Sequence, residues 1–87
     1  MKQEVEIIKY DSNKGLQLSW ENNFSIEVKS EGREVLIVAN NEGLISLAKH
    51  LLTLAQEEVL QGTHIHLDQY NSLEDGSIDL IIEKRNL

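Results

Sequence analysis

The chain contains no cysteine and no proline, and its eight lysines and arginines are outnumbered by fifteen aspartates and glutamates. Without cysteine there is no disulfide framework, no thiolate-bound zinc and no iron–sulfur cluster, a composition that suits a reducing cytoplasm. Apolar runs are short: none approaches the ~20 residues needed to span a bilayer, so no membrane-crossing segment is expected. The first residues alternate in polarity instead of forming an apolar block, which is not the pattern of a signal peptide, and a cytoplasmic location is the expectation. No repeat, linker or low-complexity tract divides the 87 residues, so one domain over 1–87 is expected. A hydrophobic content of 40% beside 26% charged residues is that of an ordinary folded chain with one core.

The formal net charge is −7, and the few basic residues are scattered, with Lys84 and Arg85 the only adjacent pair. Such a surface repels a phosphate backbone, so nucleic acid is not expected as a direct ligand. It would speed encounter with a basic protein, although solubility alone also explains an acidic composition.

Alternation at period two marks the strands. Val5 and Ile7, then Leu16, Leu18 and Trp20, fit a first hairpin across the turn-forming residues 11–15. Asn22 and Asn23 turn the chain into Phe24, Ile26 and Val28, whose intervening residues are polar. Residues 34–39, Glu-Val-Leu-Ile-Val-Ala, are apolar on both faces over the last five and rich in β-branched side chains, the pattern of a central or doubly covered strand. From Asn40 the period becomes 3.6. Leu44, Ala48, Leu51, Leu52, Ala55 and Val59 form one stripe of an amphipathic helix, widened by Leu47 and Leu54. Asn40 or Asn41 is the expected N-cap, Glu42 favours the positive end, and Gly62 closes the segment. Two more strands, over 63–68 and 78–84, complete the order ββββαββ.

The expected fold is therefore α+β: a two-layer domain with a mainly antiparallel sheet of about six strands and one helix packed on one face. The opposite sheet face should carry polar residues around an apolar centre of Leu36, Val38 and Ile81, a surface suited to a partner or to a homodimer. His50, between core positions of the helix, reads as a boundary residue.

The most distinctive residues follow the helix. In Gly62-Thr-His-Ile-His-Leu-Asp68, the residues His64, His66 and Asp68 alternate with Ile65 and Leu67, so two imidazoles and a carboxylate share one strand face. Two histidines at this spacing can lean onto one metal, with Asp68, Asp75 or Asp79 as a third ligand, and a hydrolytic domain built on His64, His66 and Asp68 is one reading. A catalytic histidine oriented by Asp68 or Asp79 is another. No cysteine nucleophile, Gly-x-Ser-x-Gly or phosphate loop accompanies it, so no enzyme activity and no cofactor are expected. A recognition surface is the third. The loop over 69–76 carries Tyr70, Glu74 and Asp75 beside this row, a mixture that suits arginine or lysine on a partner, and a plain hairpin loop is the simpler alternative.

The stretch from Glu42 to Ala55, followed by Gly62-Thr-His-Ile-His-Leu-Asp68 and Leu73-Glu-Asp-Gly-Ser-Ile-Asp-Leu-Ile-Ile-Glu83, resembles a family of small bacterial immunity proteins of polymorphic toxin systems, marked by Gly-x-His-x-His-Leu-Asp after a helix. The resemblance covers about half of the chain. It implies a non-enzymatic inhibitor that occludes the active or substrate-binding surface of a cognate toxin, and the acidic balance suits a basic toxin such as a nuclease. His64, His66, Asp68, Tyr70, Glu74, Asp75 and Asp79 are then the expected partner-binding residues, with a metal-binding domain and a homodimeric module through the open sheet face as alternatives.

Overall fold

The alternation through Ile26 and Val28 produces the first strand of a computed structural model that describes residues 1–86. Strand β1, Ile26–Glu31, buries Ile26 and Val28 and turns back through Gly32 and Arg33 into β2, Glu34–Ala39. Gly32 has a φ of +61° at the first central position of this two-residue connection, where a type II′ turn needs a left-handed residue. The helix α1 spans Asn41–Leu54. A second antiparallel pair, β3 over His64–Leu67 and β4 over Leu80–Glu83, completes the regular structure of the described residues.

The α+β class matches expectation; the six-strand sheet does not. The described residues form two separate two-stranded sheets, β1 with β2 and β3 with β4. Residues 1–10 and 16–20 hold no strand, and the expected first hairpin is reduced to a single bridge between Asp11 and Gly15. Side chains replace a ladder there. Gln56 Oε1 accepts from the Tyr10 amide at 2.9 Å, Ser46 Oγ accepts from the Glu21 amide at 2.9 Å, and Lys49 pairs with Glu21 at 3.0 Å. Leu16, Leu18, Trp20 and Phe24 still pack against the core from this irregular segment. Backbone amides satisfied by fixed side chains lose little relative to a strand ladder, so apolar alternation alone does not force pairing.

The helix begins where expected. Asn40 Oδ1 accepts from the amides of Gly43 at 2.8 Å and Ser25 at 2.9 Å, and its Nδ2 donates to Asn23 O, so one cap ties α1 to the segment entering β1. It ends at Leu54, short of Val59, where Gln56 Nε2 donates to the Thr53 carbonyl at 2.9 Å and to Ile8 O.

Its buried face is also rotated from the leucine stripe. Gly43, Ser46, His50, Thr53 and Leu54 are buried, whereas Leu44, Leu51 and Leu52 are about half exposed. The face it buries meets the start of β1 at Gly43, the Glu21 amide at Ser46 and the Trp20 ring at His50. A Cβ on Gly43 would lie 2.4 Å from Ser25 O and 2.9 Å from Ile26 Cγ1, so only glycine at this position lets the start of the helix approach the start of β1. β2 differs from expectation as well, because Val35, Leu36, Ile37 and Val38 are all exposed, and among the described residues only Ala39 of this strand packs against the core. Leu36 and Val38 lie on a different sheet from Ile81, so the single open sheet face expected for a homodimer does not exist.

The core consists of Ile26, Val28, Leu54, Val59, Ile65, Leu67 and Leu73. It joins the two sheets. Segment 74–78 lies along the outer edge of β1, where the Glu74 amide donates to Ile26 O at 2.9 Å and the Ile78 amide to Val28 O at 2.9 Å. The buried Ser77 hydroxyl accepts from the Val28 amide, at 3.1 Å. No helix among the described residues is long and apolar enough to cross a membrane.

Candidate functional site

β3 sorts its side chains as the period of two requires. Ile65 and Leu67 enter the core, and His64 and His66 face outward, opposite Glu83 and Ile81 of β4. His66 Nε2 lies 2.9 Å from Asp79 Oδ2, the separation of an N–H donated to a carboxylate, and 3.8 Å from Asp68 Oδ2. His64 stands outside this group. Of the residues the sequence offered as metal ligands, the structure gathers His66, Asp68 and Asp79, whose donor atoms lie within 4.8 Å of one another.

The loop after β3 is held in place. Asp68 Oδ1 accepts from the amides of Tyr70 at 2.9 Å and Asn71 at 3.0 Å, and the Asp68 carbonyl accepts from Leu73 N at 2.9 Å. Asn71 closes the turn by accepting from the Asp68 amide and donating to His66 O, each at 3.0 Å. Buried Leu73 anchors the middle of the loop, and Gln69 Oε1 accepts from the Gly76 amide. At its far end Glu74 is fixed twice, by its amide on Ile26 O and by its carboxylate, which accepts from Ser25 Oγ at 2.8 Å. Tyr70 is 89% exposed on this braced turn. A large, preorganised aromatic in water costs little further order when a partner covers it.

Charge is concentrated here too. Between residues 68 and 83 the chain carries five carboxylates, Asp68, Glu74, Asp75, Asp79 and Glu83, and no lysine or arginine. Of the residues expected at this surface, the structure joins His66, Asp68 and Asp79 directly, places Tyr70 and Glu74 on the braced loop, and leaves Asp75 exposed beside them.

Sequence reasoning missed the supporting residues. Asn71 and Ser77 shape the loop, and their signal was faint: an Asp-x-x-Asn spacing at 68 and 71 and a serine after the Asp75-Gly76 turn. His50 was also misread. It is fully buried, its ring meets Trp20 edge-to-face at 4.1 Å, and neither ring nitrogen has a hydrogen-bond partner among the described residues. Burial, and secondarily the charge of Lys49, push its pKa down to about 4. The signal available was a run of small or polar residues, Gly43, Ser46, His50 and Thr53, at helical spacing.

A family model described as Immunity protein 32 matches residues 34–85, which is more than half of the chain. The chain belongs to the Immunity protein 32 family. The matched span runs from the start of β2 through α1 and the braced loop to just past β4, so it contains the whole His66, Asp68 and Asp79 group. Membership in an immunity-protein family implies a toxin-neutralising role and a toxin as partner. No curated protein and no solved structure matches the chain.

Proposed function

We propose that this immunity protein neutralises its toxin by covering the toxin's active or substrate-binding surface with the face formed by His64, His66, Asp68, Tyr70, Glu74, Asp75 and Asp79. The observation that carries this reading is the exposed Tyr70 on a turn clamped by Asp68 and Asn71, within a stretch, residues 68–83, that holds five carboxylates and no lysine or arginine. Tyr70 supplies the buried area, the carboxylates meet cationic toxin groups, and His66, oriented by Asp79, offers a directed hydrogen bond. An acidic face of this kind suits a basic toxin such as a nuclease, whose substrate-binding surface must itself be cationic.

The test is calorimetric titration of a candidate toxin, sought among the products of neighbouring genes, with the wild type, Tyr70→Ala and Asp79→Asn. Loss of the Tyr70 ring should weaken binding by about 30-fold or more, the effect of a central aromatic anchor. Wild-type affinity in both variants would move the interface elsewhere on the molecule.

A second reading has one observation in its favour, the compactness of the His66, Asp68 and Asp79 donors. Titration of chelator-stripped protein with Zn²⁺, using His66→Ala as the control, decides it. One-site binding lost in the variant would assign the group to a metal; absence of heat leaves it a hydrogen-bonded recognition element.

A further inference from the structure

The alternation of the β1–β2 ladder fixes which backbone groups of β2 point away from β1. The two-residue turn closes on Glu31 and Glu34, and the Asn40 amide bonds to Ser25 O at 3.1 Å, so even-numbered residues of β2 face β1. Odd-numbered residues then face outward. The same alternation is visible on β1, where Ile26 and Val28 bond outward to segment 74–78. Among the described residues nothing occupies the corresponding outer edge of β2, where Val35, Ile37 and Ala39 present three amides and three carbonyls.

Free edges are ordinarily protected by charge, proline, a bulge or shortness. This one has none of these. Residues 35–39 are Val-Leu-Ile-Val-Ala, the strand pairs with β1 over six residues without a bulge, and Val35 is 61% exposed. Residues 35–39 carry no charge for a basic partner to meet, the carboxylates of this hairpin being Glu27 and Glu31 on β1 and Glu34 at the turn end of β2. It does complement itself. In an antiparallel pairing about a two-fold axis at Ile37, all three outward residues meet outward residues, with Val35 opposite Ala39, Ile37 opposite Ile37 and Leu36 opposite Val38. Glu34 falls opposite Asn40, so two chains of net charge −7 meet along this strand without one carboxylate facing another.

We propose that β2 is the self-association edge of this protein, pairing with β2 of a second copy to make a four-stranded antiparallel sheet held by six backbone hydrogen bonds and an apolar seam. The isologous geometry closes after two copies, because each chain has one such edge and uses it. The recognition face on the β3–β4 side lies outside the seam, so the dimer presents two of them. This proposal does not depend on where the toxin binds.

The experiment is sedimentation equilibrium of the full chain from about 1 µM to about 500 µM, a range that brackets a small interface, together with residue-resolved amide exchange. The expected result is a mass rising from 9.9 kDa toward twice that value, with the Val35, Ile37 and Ala39 amides slowing as concentration increases. Ile37→Lys places two ammonium groups face to face on the axis and should keep the protein monomeric. Val35→Lys, at the more exposed position, should weaken association at least tenfold and serves if the first variant does not fold. A monomer throughout, with those three amides exchanging fast, would overturn the proposal. So would a dimer whose three amides stay unprotected, or protection that arises only when toxin is added.

Discussion

His50 should make this protein acid-labile, and His50→Leu should remove that lability. The imidazole has no exposed surface, and burial with the nearby Lys49 charge lowers its pKa from 6.5 to about 4. As pH falls below about 6.5 the unfolded chain takes up a proton at this residue while the folded chain does not. The stability linked to His50 is therefore complete above about pH 6.5, declines toward about pH 4, and changes no further below, where both states carry the proton. The interval between the two values corresponds to about 3 kcal/mol. A chain of this size is stable by roughly 4–13 kcal/mol, so the loss is at least about a quarter of the total. Urea unfolding followed by Trp20 fluorescence measures it, since Trp20 is the sole tryptophan and its ring touches that of His50. With a slope of about 1 kcal/mol/M, the wild-type midpoint should fall by about 3 M more than that of His50→Leu between about pH 7 and about pH 4. Carboxylates titrate in both proteins and cancel in the difference. At neutral pH the variant should be at least as stable as the wild type, because each unsatisfied ring nitrogen costs about 1–3 kcal/mol. Parallel pH curves for the two proteins would refute the reasoning, as would an NMR titration of the folded His50 ring centred near 6.5.

Gly43→Ala should destabilise the fold by about 1–3 kcal/mol despite alanine's better helix propensity, because the new methyl group meets the Ser25 carbonyl, and thermal unfolding should show a drop of roughly 10 °C. Asn40→Ala removes the cap on Gly43 and both bonds to the segment entering β1, and should cost about 2 kcal/mol by urea unfolding. Asn40→Asp, which keeps the acceptor, should recover more than half of that loss. Toxin association should slow steeply with added salt, and stopped-flow rates for Asp79→Asn should show a shallower salt dependence than the wild type.

The parts of the fold legible in the sequence are those whose pattern has one physical solution. Residues 26–29 alternate cleanly, Asn40 is a strong cap, and Ile65 and Leu67 could enter the core only by turning His64 and His66 outward. The leucines of α1 misled because a periodic stripe identifies a helix but not the face it buries. Gly43 meets the start of β1, Ser46 the Glu21 amide and His50 the Trp20 ring, and which face is buried depends on these neighbours, which the helix sequence does not contain. The same dependence explains the first twenty-five residues. Leu16, Leu18 and Trp20 alternate like a strand, but the outer edge of β1 is taken by segment 74–78, and Gln56 and Ser46 meet the amides of Tyr10 and Glu21 instead. The apolar β2, read as a central or doubly covered strand, is the instructive case. Its composition does call for cover, and among the described residues only Ala39 receives any from the core. A second copy of the strand, as proposed, would take up the free amides and carbonyls of Val35, Ile37 and Ala39; it accounts for an apolar strand left at a sheet edge, and not for side chains that stand above and below the sheet plane.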